Sequence, residues 1–392
     1  MYIKNALVLV ADQLLKFRRT IKISAVGNSN SMMRTGYCSY FSTYISEITS
    51  RPTSLKNYSL GGVTSIYGAM QQDKYNIAAS SDIILFEFCI NDRHFIEEGQ
   101  YSLDLAGKAL EGFIRKVKKA NPTCIVIVLI FGVNLEKFYV APCPLLELYK
   151  FISEKYNLPV ITLTKLLSEA HGLDYIKTLY NEKDHAHFTR PQGVQVVAQA
   201  IANELNEMGV LEDLKRYRKQ YQAADIPAIY SNNFEDLTYF DRFENGNFFA
   251  KRPNISTFVN TAVRAKCFSI FQGNSLDFQL KGRLIGILIK SDKSDGFISI
   301  KFNDQRIVTS SYSAWIKNTK PRNVINLMAL PLLRFSESSD FAPASISLCS
   351  EYPQDFELEV FKVAPAKLDP EKWKLSIIGV VYIGELKPQN CS

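Results

Sequence analysis

The sequence contains no closely spaced pair of cysteines. Its seven cysteines are scattered singly over 392 residues, their number is odd, and no CxxC motif occurs. This distribution argues against a disulfide framework and against a structural zinc site, and it fits a reducing compartment. We therefore expect a cytoplasmic protein.

Long apolar runs are missing as well. The apolar N-terminal stretch, residues 1–19, is interrupted by Asp12 and Gln13, is too short to cross a bilayer and lacks a small-residue cleavage site. We interpret it as an amphipathic leading helix and expect no membrane association.

Neither sign of charge dominates the chain. The formal net charge is +7, and the basic residues stand in short groups, such as the one within residues 115–119, that are typical of a solvated helix face. We therefore predict no nucleic-acid partner. With 46% hydrophobic and 22% charged residues the composition is that of a globular protein, and 392 residues are enough for two domains with separate cores.

The first half of the chain alternates apolar strands with amphipathic helices. Short, mostly β-branched runs predict strands at residues 21–26, 55–60, 82–89, 124–131 and 158–162. Helices are predicted near residues 32–49, 65–73, 103–120, 143–156 and 191–208. This alternation predicts a doubly wound α/β domain over residues 1–215, with ligands at the carboxyl ends of parallel strands.

The second half has a different pattern. After a polar stretch at 210–235, interpreted as a last helix and a linker, strand-like segments separated by turn residues continue to about residue 385. They predict an all-β jelly-roll or sandwich domain over residues 228–392. Trp315, Tyr312 and Tyr230 could offer stacking faces for sugars, but aromatic residues at such a density are mostly core residues. A carbohydrate-binding role and a purely structural role both stay open.

Four short stretches carry polar residues suited to acyl transfer. They are Gly27-Asn28-Ser29-Asn30, NYSLGGVTS at residues 57–65, FEFCIND at 86–92 and DHAHFTRPQG at 184–193. Acyl transfer needs a nucleophile, a base, a group that orients the base, and donors for the oxyanion. All four stretches can meet at one edge of the predicted sheet.

Each of these roles has a candidate residue. Ser29 is the candidate nucleophile, His187 is its base, and Asp184, three residues earlier, can orient the imidazole. The backbone N–H groups of Ser29 and Gly62 and the side-chain amide of Asn91 are candidate oxyanion donors. Taken alone, the first stretch is equally explained by a turn, because Gly, Asn and Ser all favour turns.

Together, the four stretches resemble the blocks of the SGNH (GDSL) hydrolase superfamily of serine esterases and acyltransferases. The family's first block, Gly-Asp-Ser, corresponds to Gly27-Asn28-Ser29, and the glycine of its second block corresponds to Gly62. Its third block, Gly-x-Asn-Asp, corresponds to residues 89–92. Its last block, Asp-x-x-His followed by a glycine, corresponds to Asp184 to His187 with Gly193. The resemblance covers about residues 20 to 210. It implies a flavodoxin-like hydrolase domain whose catalytic set is Ser29, Gly62, Asn91, Asp184 and His187.

Two positions depart from the family pattern. Asn28 stands where the family has an acid, and Cys89 stands where it has a glycine. Neither position carries a catalytic group in the family, so we expect these departures to affect the shape of the substrate site more than its chemistry.

A metal site is the competing interpretation of the last stretch. His185 and His187 lie beside Asp184, but the only other histidines, His94 and His171, have no ligand-like spacing to them. We therefore predict no bound metal.

These residues predict a serine esterase that acts through a Ser29 acyl-enzyme on O-acyl groups of carbohydrates, O-acetyl groups before others. A carbohydrate or polysaccharide is then the partner, and no cofactor is expected. One alternative is a polysaccharide O-acetyltransferase with the same Ser-His-Asp site, for which acetyl-CoA is a conceivable donor. The other is a glycan-binding protein on a catalytically inactive SGNH scaffold. The sequence does not predict an oligomeric state.

Overall fold

The computed structural model of the protein describes residues 19–135, 143–212, 226–259, 264–317, 324–365 and 369–389. The expected leading helix, most of the expected linker and Cys391 lie outside the described residues. The chain divides into two compact units, Met1–Gly61 with Asn76–Arg93 and Phe113–Ser231, and Gly62–Tyr75 with His94–Gly112 and Asn232–Ser392.

The first unit is built on a parallel sheet of five strands. They are β1 Ile21–Gly27, β2 Thr53–Asn57, β3 Ile83–Glu87, β4 Ile125–Ile130 and β5 Val160–Thr162. Their order is β2-β1-β3-β4-β5, and every neighbouring pair is parallel. This confirms the expected flavodoxin-like fold, in which the winding reverses between β1 and β3 and the crevice for a ligand lies beside the carboxyl ends of these two strands.

The two central strands β3 and β4 are buried along their whole length. Their sequences, IILFE and IVIVLI, are continuous apolar runs except for Glu87. Continuous runs of this kind are what a strand covered on both faces requires, whereas a half-exposed strand would alternate polar and apolar residues. The exception, Glu87, is the last residue of β3 and lies at the carboxyl end of the strand, beside the crevice.

The structure contains ten α-helices in its described residues, and several of them differ from the predicted helices. They are α1 Ser29–Met32, α2 Tyr37–Thr49, α3 Ile66–Tyr75, α4 Cys89–Glu97, α5 Leu103–Ala120, α6 Pro144–Lys155, α7 Leu163–His171, α8 Leu173–Thr178, α9 Gln192–Glu207 and α10 Ala314–Lys317. Short 3-10 turns occur at Ile77–Ser80, Phe234–Asp236, Phe243–Asn245, Leu332–Arg334 and Pro370–Lys372. The single helix expected at 32–49 is divided, because between α1 and α2 the backbone is non-helical at Met33, with φ −59° and ψ 126°, and extended at Gly36. Helices α4, α7 and α8 were not predicted.

A two-stranded hairpin precedes the last helix of the first unit. Its strands are β6 Tyr180–Asn181 and β7 Asp184–Phe188, and they pair antiparallel. Asp184 and His187 therefore lie on a strand.

The second unit contains a large antiparallel sheet, which confirms the expected all-β domain. Its strands are β8 Leu237–Phe240, β9 Asn254–Val259, β10 Arg264–Ile270, β11 Ser275–Ser291, β12 Phe297–Phe302, β13 Gln305–Ser310, β14 Val324–Met328, β15 Ser338–Leu348 and β16 Leu375–Pro388. The order is β13-β12-β15-β11-β16-β10-β9, with β14 paired to β11 and β8 paired to β16. The segment at 355–364, expected to be a strand, forms only isolated bridges at Glu357 and Lys362.

The sheet of the second unit surrounds its own apolar core. Phe278 and Leu280 on β11, Ile300 on β12 and Trp373 before β16 are almost completely shielded from solvent. Among the described helices, none has the length and apolar character needed to cross a bilayer.

Candidate active site

Ser29 stands at the carboxyl end of β1, on the rim of the crevice. The strand ends at Gly27, Asn28 is extended, and Ser29 begins α1. The Asn28 N–H donates to the backbone O of Glu87 and the Leu60 N–H donates to the backbone O of Gly27, both at 3.0 Å. The neighbouring chains therefore hold the turn that presents Ser29 from both sides.

Gly27 is the one residue type that fits where β1 ends. A Cβ at this position would lie 2.7 Å from Ser31 Oγ and 2.8 Å from the backbone O of Glu87. Both distances are shorter than van der Waals contact, so any larger residue would push the nucleophile turn away from β3. The close packing against Ser31 and Glu87 therefore explains why position 27 is a glycine.

Ser29, His187 and Asp184 form a continuous chain of hydrogen bonds. Ser29 Oγ lies 2.8 Å from His187 Nε2, and His187 Nδ1 lies 2.5 Å from Asp184 Oδ2. When Nδ1 carries the ring proton and donates it to the carboxylate, Nε2 is an acceptor for the Ser29 hydroxyl proton. The structure thus brings together a hydroxyl, a base and an acid in the arrangement that activates a serine nucleophile.

The short strand β7 fixes the base. Asp184 Oδ1 accepts a hydrogen bond of 3.1 Å from the Ala186 N–H, which orients the carboxylate. The strand ends at Phe188, a buried residue whose ring contacts the rings of Phe131 and Tyr180. The strand therefore carries two partly buried polar side chains and is anchored by a buried aromatic residue.

Gly193, the glycine after the expected Asp-x-x-His block, takes part in the hydrogen bonds at the start of α9. Gly193 lies in the first turn of α9 and its N–H donates to Thr189 Oγ1 at 3.1 Å, while the Thr189 N–H donates to the backbone O of Leu179 at 2.7 Å. These bonds connect β7 to the start of α9.

Asn91 follows β3, the strand beside β1. It is in the first turn of α4, which follows β3, and it is buried. Because β3 pairs with β1 in parallel, the carboxyl ends of the two strands share one edge of the sheet. Its role as an oxyanion donor stays a prediction.

The glycine pair follows β2, the other neighbour of β1. The Gly61 N–H donates to Met32 Sδ at 3.3 Å, which joins this turn to α1. Gly62, the next residue, has a φ of +71°, in the left-handed region that glycine adopts at little cost. Gly62 belongs by its contacts to the second unit, and its role as a donor likewise stays a prediction.

A set of buried polar groups behind Ser29 was not expected from the sequence. Ser31 Oγ donates to Glu87 Oε2 at 2.9 Å and also lies 2.9 Å from the Tyr37 hydroxyl, and all three residues are buried. Burial raises the pKa of Glu87 to about 8, although the Ser31 hydrogen bond lowers it. The available signal was a single glutamate in the apolar run of β3.

The alternative interpretation of Asp184, His185 and His187 requires metal ligands that lie close together. The side chain of His185 is exposed to solvent. In the part of the chain that the structure describes, no three His, Cys, Asp or Glu side chains lie close enough together to hold a metal ion.

Comparison with solved structures identifies the same two-domain arrangement elsewhere. Over 98% of its length the chain matches a two-domain esterase active on acetylated mannans, of which 96% is covered, with a TM-score of 0.62 and 16% identity. A structure of a two-domain esterase active on acetylated mannans, co-crystallized with mannopentaose, matches 98% of this chain over 95% of its own, with a TM-score of 0.61 and 15% identity. The chain shares the two-domain fold of these esterases.

Several other solved structures match only about half of the chain. A lipase/acylhydrolase from Enterococcus faecalis matches 48% of this chain and 96% of its own, with a TM-score of 0.39 and 18% identity. No family model and no curated protein matches the sequence. The fold class predicted from the sequence, an α/β domain followed by an all-β domain, is confirmed.

Proposed function

We propose that the protein is a serine esterase that hydrolyses O-acyl groups of carbohydrates, O-acetyl groups before others. The observation that carries the proposal is the hydrogen-bonded chain from Ser29 Oγ through His187 to Asp184. A serine hydroxyl is a weak nucleophile unless a base within hydrogen-bond reach accepts its proton, and His187 is such a base. The fold shared with an esterase active on acetylated mannans supports the substrate class.

In the first half of the reaction Ser29 Oγ attacks the ester carbonyl carbon, and its proton moves to His187 Nε2. The carbonyl oxygen becomes an oxyanion in a tetrahedral intermediate. When the intermediate collapses, the bond to the sugar oxygen breaks and His187 gives its proton to that oxygen. The sugar leaves with a free hydroxyl, and the acyl group stays on Ser29.

In the second half water attacks the acyl-enzyme and gives a proton to His187. Collapse of the second tetrahedral intermediate breaks the bond to Ser29 Oγ, which takes the proton back, and the carboxylic acid leaves. Asp184 accepts the hydrogen bond from Nδ1 throughout and stabilises the imidazolium that forms in each half. All proton transfers use groups of this chain and water.

The oxyanion needs donors that are in place before the reaction. We assign this task to the N–H groups of Ser29 and Gly62 and to the side chain of Asn91. Each donor that is aimed at the developing charge contributes about 3 kcal/mol to the transition state.

Hydrolysis of defined substrates tests the proposal. The purified full-length chain is incubated with p-nitrophenyl acetate and with acetylated mannan, and nitrophenol, free acetate and acetylated glycan are measured. Ser29→Ala should abolish release of acetate, while Ser42→Ala, a change at a serine of α2 whose hydroxyl donates to the Ser39 carbonyl, should leave it unchanged.

A fluorophosphonate probe gives a second reading that does not need the natural substrate. It should label the native chain at Ser29 and should not label Ser29→Ala. Absence of both labelling and turnover would contradict the proposal and favour a non-catalytic glycan-binding protein. Labelling of Ser29 with transfer of acetyl to an added glycan in place of water would replace hydrolysis by O-acetyl transfer.

A further inference from the structure

A buried carboxyl group lies directly behind the nucleophile turn. Glu87 is the last residue of β3, is paired in register with Gly27 and has no exposed surface. Its Oε2 accepts the hydrogen bond from Ser31 Oγ, and its Oε1 has no hydrogen-bond partner among the described residues. The Glu87 carboxyl group is thus bonded to the helix of Ser29.

Among the described residues, the titratable groups that interact with Glu87 include no cation. Tyr37 and Cys38 come from α2, and Cys89 and Asp92 come from α4. Tyrosine and cysteine are neutral when protonated, and the negative charge of Asp92 disfavours a second one at Glu87. A buried carboxylate without a cation is costly, so the neutral acid is the form that these surroundings accommodate.

The groups nearest to Glu87 belong to the turn that presents Ser29. Ser31 is two residues after Ser29, and it joins Glu87 to the Tyr37 hydroxyl. The side chain of Asn28, one residue before Ser29, is also fully buried, and neither its Oδ1 nor its Nδ2 has a partner among the described residues. The backbone N–H groups of Asn28 and Ser31 also lower the pKa of Glu87, so the carboxyl group interacts with the backbone of this turn as well as with the Ser31 hydroxyl. A charge on Glu87 would attract these N–H groups more strongly and would therefore shift the turn.

We infer that Glu87 is a positioning residue for Ser29: as a neutral acid it holds Ser31 and the nucleophile turn in place, and loss of its proton at alkaline pH displaces the turn and lowers activity. The inference rests on the proposed function, since its readout is the reaction at Ser29. It adds a residue that acts through Ser31 and never touches the substrate.

The pH profile of kcat/KM tests the inference. The profile of the native chain should fall on its alkaline side near pH 8, the value to which burial raises the pKa of Glu87. Glu87→Gln, which keeps the shape of a neutral acid, should lose no more than about threefold at pH 6.5 and should not show this fall. The fall should be in kcat, with KM unchanged, because the displaced group is the nucleophile.

Two further variants sharpen the result. Ser31→Ala removes the hydrogen bond through which Glu87 acts, so kcat should decrease and the alkaline fall should become smaller. Glu98→Gln, the same exchange at an exposed carboxyl, should reproduce the native profile. An alkaline fall that persists unchanged in Glu87→Gln would overturn the inference.

Stability gives a readout that does not depend on turnover. Between the ordinary pKa of 4.5 and about 8, the folded chain holds the Glu87 proton more tightly than the unfolded chain. The urea midpoint of the native chain should therefore fall with rising pH in this window relative to Glu87→Gln.

The two failures are distinguishable. An equal pH dependence of the two midpoints would overturn the inference even if Ser29 turns over substrate. Absence of turnover and of fluorophosphonate labelling at every pH would contradict the proposed function, and with it the positioning role, whatever the midpoints show.

Discussion

Asn30 Nδ2 donates a hydrogen bond of 2.9 Å to the backbone carbonyl of Ala186. The two residues are 156 positions apart in the chain, yet each is the immediate neighbour of a member of the hydrogen-bonded set, Ser29 and His187 respectively. Asn30 is buried, so its amide would be costly to leave without an acceptor. This one bond sets the distance between the helix of the nucleophile and the strand of its base.

Asn30→Ala should therefore lower kcat as well as stability. Loss of the bond should cost about 1 kcal/mol of unfolding free energy, and the looser base should lower kcat about tenfold. Asn121→Ala is the control, since it removes a bond of the same length to the Ala78 carbonyl, together with a bond to the Ser81 carbonyl and two bonds from Thr123. It should lower the unfolding free energy at least as much in urea titrations and leave kcat as it is. Equal kcat in both variants would contradict the positioning role of Asn30.

Asn91→Ala should lower kcat by about 10²–10³ with a much smaller change in KM. This is the pattern for a donor that acts on the oxyanion, because the negative charge exists only in the transition state. Steady-state kinetics with p-nitrophenyl acetate measure both constants. A rise in KM at unchanged kcat would instead make Asn91 a residue of ground-state binding.

Gly62→Ala should lower kcat through the backbone. Gly62 has a φ of +71°, and a Cβ there would meet Phe361 at 3.4 Å, an ordinary contact. The substitution therefore adds left-handed strain of about 1 kcal/mol, and relief of that strain would turn the N–H. Gly99→Ala is a matched control, because Gly99 has a φ of +69° and open space around it. It should destabilise alike in thermal unfolding without a loss of kcat, and a loss in both variants would refute the specific role of Gly62.

Lys118 predicts a pH dependence of stability. Lys118 lies in α5, where the sequence predicted that the basic residues 115–119 form a solvated helix face. Lys118 is nevertheless buried, and burial lowers its pKa from 10.5 to about 8. Its Nζ donates to the Cys124 carbonyl at 2.8 Å. Between pH 8 and 10.5 the unfolded chain binds more protons at this residue than the folded chain does, so the free energy of unfolding should rise with pH.

Lys118→Met should remove that rise, which amounts to at most about 3 kcal/mol. Lys119→Met, a change at the exposed neighbouring lysine, should keep it. The measurement is the unfolding free energy in urea at a series of pH values. The same pH dependence in the native chain and in Lys118→Met would show that the lysine titrates alike in both states.

Several elements of the fold could be read from the sequence because their burial is complete. The runs IILFE and IVIVLI have no polar face, and only a sheet covered on both sides accommodates such strands. Helix α4 could not be read in the same way. Its first residues continue the apolar run of β3, and the change from strand to helix at Cys89 has no local turn residue to mark it.

The sequence by itself determined the chemistry and the order of its parts: a serine after the first strand, an asparagine after the third, and an acid and a histidine before the last helix. Only the tertiary structure decided which of these groups touch. The contact between Ser29 and His187 spans 158 positions, and the Ser31 bond to Glu87 spans 56. Burial of Glu87 and Lys118 likewise depends on elements distant in the chain. Hydrogen bonding and desolvation act over a few ångströms in space, so residue type and spacing along the chain leave them undetermined.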